Sequence, residues 1–136
     1  MKNNCKTYFS ISGDFDPQQI TKMLNVEPTR CHGKDDLRRD GKPYNFALWA
    51  GCLCDEYDVY VENQMEKTIE PLLDKIDVLK QIKEQFDVEM FLSVVPHAVA
   101  DQPTPCLAPS LKVMQFCVEV GVKIDIDLYI YNGEEE

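Results

Sequence analysis

Apolar and polar residues alternate in three stretches of the chain, and a fourth stretch is continuously apolar; together these patterns predict four β-strands. The stretches lie at about residues 7–13, 46–54, 88–95 and 124–131. The first ends at Gly13, and the second is apolar on both faces, which is typical of a strand covered on both sides. The last is the most regular: Ile124, Ile126, Leu128 and Ile130 share one face, and Asp125, Asp127, Tyr129 and Tyr131 share the other.

Between the strands, apolar residues at helical spacing predict three helical regions. The first begins at Pro17, because Asp16 can cap its free amides and proline fits the first helical position. The second runs from about 62 to 86 and contains Pro71, which either kinks one helix or divides two. The third spans about 110–120, and its predicted inward residues are Leu111, Met114, Cys117 and Val118.

Strand, helix and strand occur in this order twice, with the longer helical region between the two halves. This order predicts an α+β fold of the split βαβ type, close to the ferredoxin-like plan. We expect a four-stranded antiparallel or mixed sheet with helices mainly on one face and the first and third strands at its centre. The chain has the length of one domain, 1–136, in which the acidic tail 133–136 is frayed.

Charge and cysteine content narrow the classes of partner and location. With 14 basic and 24 acidic residues the net charge is −10, so the surface repels nucleic acid and anionic membranes and favours basic partners. No apolar signal segment precedes the first strand, and no apolar run is long enough to span a membrane. We therefore expect a cytoplasmic protein whose six cysteines are reduced thiols.

Several short segments carry a resemblance to a known family. They are Phe9-Ser10-Ile11-Ser12-Gly13, the helix that begins at Pro17, Glu27-Pro28-Thr29-Arg30 with Gly33-Lys34, Trp49, and Ile124-Asp125-Ile126-Asp127-Leu128-Tyr129. Together they resemble a bacterial family of uncharacterised proteins, domain of unknown function 4279, over nearly the whole chain. The resemblance implies the boundaries of a single domain. Because no catalytic residue is established for that family, it implies no activity.

The cysteines and histidines do not show the spacing of a metal site. Structural zinc normally uses paired ligands such as C-x-x-C, and the sequence contains none. A glycine-rich phosphate loop and a G-x-S-x-G elbow are also absent. We therefore expect no metal and no cofactor. A small enzyme would have to use Cys31 with His32, or the pair Asp125 and Asp127 on one strand face.

One loop is rich in basic residues against the acidic background. It contains the candidate ligand-binding residues Thr29, Arg30, Lys34 and Arg38. A hydroxyl and a planar guanidinium beside Pro28 and a glycine could hold a carboxylate or phosphate of a small anionic ligand. The alternative is structural: Arg30 pairs with an acid such as Asp14 or Asp58 and fixes the loop to the body of the domain.

Aromatic residues are predicted on the sheet face that lies opposite the helices. They are Tyr8, Trp49, Phe91, Tyr129 and Tyr131. Such a patch is typical of an interface with a protein partner or a second copy of the chain, unless the loops 28–45 and 96–109 cover it. RNA binding is excluded on charge, since Asp125 and Asp127 lie between the rings and no RNP motif occurs.

These observations favour a non-enzymatic protein-interaction or ligand-binding module. The first alternative is an immunity-type inhibitor, in which an acidic protein neutralises a basic toxin enzyme by charge complementarity. The second alternative is the small enzyme that uses Cys31 and His32 or the pair Asp125 and Asp127.

Overall fold

A computed structural model describes residues 1–132, and the tail 133–136, predicted to be frayed, lies outside the described residues. The strands are β1 (Asn4–Gly13), β2 (Arg30–His32), β3 (Ala47–Cys54), β4 (Val88–Val99), β5 (Val122–Ile126) and β6 (Tyr129–Tyr131). The helices are α1 (Pro17–Leu24), α2 (Glu62–Ile69), α3 (Ile76–Gln85) and α4 (Leu111–Val120), with a 3₁₀ segment at Glu70–Lys75. The fold is therefore of the mixed α+β class.

The strands form one mixed sheet in the order β2-β3-β1-β4-β5, with β6 following β5 along the same side of β4. Neighbours are antiparallel from β2 to β4, whereas β5 and β6 run parallel to β4. The longest ladder joins β1 to β4, from Asn4 opposite His97 to Gly13 opposite Val88. The predicted central position of the first and third strands is confirmed.

The four-stranded ferredoxin-like plan is not confirmed, because residues 1–132 contain six strands in a different order. The strand that α1 leads into is β2, which runs parallel to β1, and β3 lies between the two. Arg30–His32 shows no apolar alternation, so the sequence pattern missed β2. As a consequence, the prediction took β3 as the strand that follows the first helix, where the structure has β2. The second half is simpler, since α4 connects the adjacent parallel strands β4 and β5.

All four helices of the described chain lie on one face of the sheet, as predicted. The inward side chains of β1 and β4 lie opposite one another, and they are Thr7, Phe9, Ile11, Met90, Leu92 and Val94. Two polar contacts fix helices to this face: the Thr7 and Thr68 hydroxyls are 2.6 Å apart, and the Trp49 indole donates to the Thr21 hydroxyl at 3.0 Å. Thr68 belongs to α2 and Thr21 to α1, while α3 and α4 contact these helices and the sheet.

Trp49 lies on the helix face, so its predicted place among the exposed-face aromatics was wrong. Its side chain is fully buried, and its ring packs edge-on against Phe9 with centroids 6.4 Å apart. The pairing of Ile11 with Trp49 fixes this orientation, because Ile11 faces the core. Because both faces of β3 are apolar, the sequence did not show which of its residues face the helices. The prediction therefore placed Trp49 on the wrong face. Near its end β3 has a bulge with Cys52 at φ 58°, after which Cys54 joins the inward face opposite Thr7.

The last two elements also differ from the prediction. In α4 the buried residues are Val113, Phe116, Cys117 and Val120. Leu111 and Val118 are 72 % and 83 % exposed, and Met114 is exposed as well, so only Cys117 of the predicted inward set is buried. The predicted final strand is interrupted at Asp127 and Leu128, which separate β5 from β6.

Helix boundaries agree closely with the sequence signals. The Asp16 carboxylate accepts a hydrogen bond from the Gln18 amide at 3.0 Å, and Pro17 begins α1. Pro71 lies in the 3₁₀ segment that divides α2 from α3. No helix within residues 1–132 is both long enough and apolar enough to cross a bilayer.

We predict that Trp49 emits as a buried indole. Because Trp49 is the only tryptophan of the chain and is packed under α1, its emission should be blue-shifted and resistant to acrylamide, and it should not change on dilution. Steady-state fluorescence over a dilution series checks this. Emission typical of an indole in water, in protein that shows native circular dichroism, would contradict the buried position.

We predict that Gly13→Ala destabilises the fold by about 1–3 kcal/mol, because overpacking in a fixed backbone environment costs that much. A Cβ atom at Gly13 would overlap the carbonyl oxygen of Asp87, at the end of the β1–β4 ladder. Gly33→Ala is the matched control, since its Cβ would meet nothing closer than 3.4 Å. Urea unfolding should give a free energy for the control within about 0.5 kcal/mol of the parent. Equal effects of the two changes would contradict the close approach of Gly13 to the Asp87 carbonyl.

Candidate functional site

The sheet face opposite the helices carries the residues from which a site can be built, and we call it the open face. One row of side chains crosses it from edge to edge: Arg30, Ala50, Ser10, Phe91 and Lys123. Cations therefore lie at the two ends of the row, and two small side chains and one aromatic ring lie between them. Tyr8 occupies the next position along β1 on the same face, so the two aromatic rings are at the centre of the sheet.

Arg30 lies over the ring of Tyr8, with the guanidinium carbon 6.0 Å from the ring centroid. Arg30 is exposed, and within residues 1–132 it forms no ion pair. Neither Asp14 nor Asp58 contacts it, so the structural alternative for Arg30 is not found. Asp58 instead accepts hydrogen bonds from the Asn63 side chain at 3.0 Å and the Tyr60 amide at 2.8 Å, and the Asn63 bond lowers the pKa of its carboxyl.

The four residues of the predicted anion site do not come together. Thr29 is held by its backbone amide, which donates to the Ala50 carbonyl at 2.7 Å. Arg38 lies in the hairpin that follows β2 and pairs with Asp40 at 3.3 Å, where both side chains are about half exposed. Lys34 is exposed in the same loop. Of the predicted set, Arg30 alone projects from a strand of the sheet onto the open face.

At the other end of the row, Lys123 interacts with two residues of β4. Its ammonium is 3.3 Å from the Glu89 carboxylate and 5.9 Å from the centroid of the Phe91 ring. This cation is therefore already neutralised, in contrast to Arg30. Phe91 and Tyr8 are half-buried, and the serines between the rings, Ser10 and Ser93, are buried.

Both histidines lie in aromatic clusters that the sequence analysis did not find. His32 stacks on Tyr44 with ring centroids 3.5 Å apart and meets Phe46 edge-on at 5.4 Å. This contact brings the 33–46 loop over the end of the open face that carries His32. The described contacts of the 100–109 loop are instead with the N-terminus, residues 59–61 and β6. Neither loop contacts Tyr8 or Phe91 through a described bond.

His97 forms the second cluster with the predicted interface residues Tyr129 and Tyr131. Its ring stacks on both tyrosines at 5.0 and 5.5 Å, and its Nδ1 is 2.8 Å from the Tyr131 hydroxyl. The Tyr129 hydroxyl donates to Asp127 at 3.0 Å, and this bond raises the pKa of Tyr129. The sequence could have indicated this cluster, because His97 is an even number of residues from Phe91 and so lies on the same face of β4. Pro96 concealed it by suggesting that the strand ended earlier.

The candidate catalytic pair Cys31 and His32 is separated by the sheet. Cys31 pairs with Trp49 and takes the helix face, whereas His32 pairs with Leu48 and takes the open face. Cys31 borders a cleft of about 750 Å³ between α1 and β2, whose charged lining residues are Asp16, Lys22 and Glu27. Within residues 1–132, no group of three or more His, Cys, Asp or Glu side chains is arranged to hold a metal ion.

Five of the six cysteines fall into two classes, and Cys54 is buried as well. All six are free thiols, and Cys31 and Cys106 are exposed. Burial raises the pKa of Cys5, Cys52 and Cys117 to about 11. These three thiols therefore carry little thiolate at neutral pH and behave as apolar groups.

A comparison with family models decides the relationship that the short segments suggested. The model described as Domain of unknown function (DUF4279) matches residues 3–131, nearly the whole chain. The chain belongs to this family. The match includes both edges of the open face, from Arg30 in β2 to Lys123 in β5. No curated protein and no solved structure matches the chain.

We predict that two thiols of the native protein react rapidly with Ellman's reagent at pH 8. A thiol of pKa about 11 has about one thiolate per thousand molecules at that pH, so Cys5, Cys52 and Cys117 react slowly and faster as the pH rises. The double change Cys31→Ser with Cys106→Ser should abolish the rapid phase. All six thiols should react after unfolding. Four or more rapid thiols in the native protein would contradict the burial described here.

Proposed function

We propose that the protein is a non-enzymatic interaction module that uses the open face to bind an acidic segment of a partner protein. The observation that carries this proposal is Arg30, an exposed cation held over Tyr8 and without an ion pair in the described part of the chain. The net charge of −10 means that acids outnumber bases elsewhere. An unpaired guanidinium at a fixed position in such a surface is a selective anchor for a carboxylate, which it can hold with two hydrogen bonds.

The rest of the open face supports an extended partner. Tyr8 and Phe91 offer two half-buried rings, and Ala50 and Ser10 lie between Arg30 and Phe91 in the same row. Aromatic and arginine side chains are the residues that most often dominate protein interfaces. Small-molecule sites are usually concave, but the cleft of about 750 Å³ beside α1 lies on the helix side of β2, away from Arg30.

The immunity-type inhibitor is the second candidate, and the net charge of −10 supports it. It would use a surface other than the open face, because the unpaired cation Arg30 on that face repels a basic enzyme. The enzyme alternative with Cys31 and His32 receives no support from the geometry, since the two side chains leave β2 on opposite faces. We infer a cytoplasmic location, which the six free thiols support.

We predict that random peptides selected on the native protein are enriched in Asp and Glu, and that Arg30→Ala weakens the best of them. Loss of a charged hydrogen-bonded anchor should cost about tenfold or more in affinity. Arg30→Lys should recover only part of this loss, because an ammonium cannot form the bidentate contact. Phage display followed by calorimetric titration of one selected peptide provides the measurement.

Lys34→Ala is the matched control, since Lys34 is an exposed cation in the neighbouring loop and lies off the sheet. It should bind the selected peptide as the parent does. The melting temperature of Arg30→Ala should stay close to that of the parent, because an exposed cation–π contact contributes only about 0.5–1 kcal/mol. Selected peptides that are basic, or that bind Arg30→Ala and the parent equally, would overturn the proposal.

A further inference from the structure

The outer edge of β5 is unpaired in the described part of the chain. β5 ends the strand order, and its backbone contacts β4 on one side only. The opposite edge of the sheet is β2, which is only three residues long. An unpaired edge strand presents free N–H and C=O groups to another chain, and natural proteins usually shorten, cover or charge it. β5 has five residues and carries one lysine and one aspartate.

The direction of the free backbone groups follows from the ladder. The Asp127 amide donates to the Val94 carbonyl of β4 at 2.8 Å. Because alternate residues of a strand bond to the same neighbour, Lys123 and Asp125 share this direction. The amides and carbonyls of Val122, Ile124 and Ile126 therefore point away from β4, towards the open edge.

We propose that β5 pairs antiparallel with β5 of a second copy, with Ile124 facing Ile124 across a two-fold axis. In this register Val122 faces Ile126 of the other copy, so the outward backbone groups of the two strands meet as hydrogen-bonded pairs. Lys123 then faces Asp125 of the other copy at the closely spaced positions between those pairs. The strand is thus complementary to itself in both backbone groups and charge.

The helix layer supports the same partner. On α4, Lys112 is 3.4 Å from Glu70, and Glu119 is 3.4 Å from Lys80 of α3. One flank of α4 therefore faces the other helices. The opposite flank carries Leu111, Met114 and Val118, which are exposed apolar residues at helical spacing.

Among the described elements α4 contacts α2, α3 and β5. Because α2 and α3 lie on one side of it, we place its apolar flank on the side of the helix layer next to the β5 edge. Since α4 leads directly into β5 through Gly121, the two-fold axis of the proposed pair relates α4 to its own copy as well. The two apolar flanks then face each other, and Ile126, which is exposed in one copy, is brought towards the same interface. Strand pairing and helix packing together bury more surface than strand pairing alone, and a stable interface requires a large buried area.

The dimer and the proposed binding function can fail separately. Arg30 lies at the β2 edge, and β3, β1 and β4 separate it from β5. Pairing through the β5 edge leaves the open face of both copies accessible. Arg30→Ala should therefore leave the oligomeric state unchanged.

Two charge reversals test the register. Lys123→Asp places acids opposite Asp125 in a homodimer, and Asp125→Lys places bases opposite Lys123, so each variant alone should dimerise about tenfold or more weakly than the parent. An equimolar mixture should form a heterodimer, because each unlike pair of strands then regains two opposite-charge contacts. Sedimentation equilibrium of the full chain at several concentrations measures all four samples.

Lys34→Asp and Asp101→Lys are matched controls, because both residues are exposed and lie outside the strands. They alter the net charge by the same amounts and should dimerise as the parent does. Val118→Glu tests the helix flank and should weaken dimerisation by about tenfold or more without lowering the melting temperature of dilute, monomeric protein. The proposal is overturned by a parent that stays monomeric at its highest soluble concentration, by reversal variants that dimerise like the parent, or by a mixture that stays monomeric.

Discussion

The antiparallel pairing of β1 with β4 is the contact on which the rest of the structure depends. It joins ten residues of β1 to β4, and each of the two strands then receives its own set of neighbours. β3 and β2 are attached through β1, whereas β5 and β6 are attached through β4. Because Phe9 and Ile11 alternate with polar residues, this ladder also decides which side the helices cover. The open face exists because the helices cover one side of this ladder.

A buried glutamine holds the far end of that ladder to the helix layer. The side-chain amide of Gln64 donates to the Cys5 carbonyl at 2.8 Å and to the Cys54 carbonyl at 3.4 Å, and its oxygen accepts from the Asp58 amide at 3.2 Å. One residue of α2 therefore contacts β1 and β3 where the bulge at Cys52 turns Cys54 inward. A buried polar group costs little when its bonds are made, and here the bonds also fix the relative position of three elements.

Local signals in the sequence predicted individual helices well. Features that depend on how strands pair could not be predicted from them. The start of α1 at Pro17 and the break at Pro71 follow from the chemistry of single residues, so they needed no knowledge of the fold. β2 could not be predicted, because three residues without apolar alternation become a strand only through pairing with β3. The face on which Trp49 lies could not be predicted for a related reason. Both faces of β3 are apolar, and only the register with β1 shows which of them packs against the helices.

The candidate site shows the same limit. Arg30 and Tyr8 were both singled out from sequence, but as members of two different sites, a basic loop and an aromatic face. The structure places them in contact because β2 pairs with β3 and β3 pairs with β1. In α4 the pattern fitted two helix faces: Leu111, Met114 and Val118 have helical spacing, and so do Val113, Phe116 and Val120. Which of the two sets is buried depends on the elements that pack against the helix. The local sequence of α4 does not identify those elements.

The long separation along the chain between β1 and β4 has a consequence for synthesis on the ribosome. Asn4 pairs with His97 and Gly13 with Val88, so the whole stretch between β1 and β4 must emerge before this ladder can form. Contacts between residues far apart in sequence slow the folding reaction, because the chain entropy is lost before the contacts form. Until then β1 can pair only with β3 among its two sheet neighbours. Phe9 and Ile11 lack their contacts with β4 in this state, and exposed apolar side chains of this kind promote aggregation. Because β1 lies between β3 and β4, it completes its native contacts only after β4 has been synthesised.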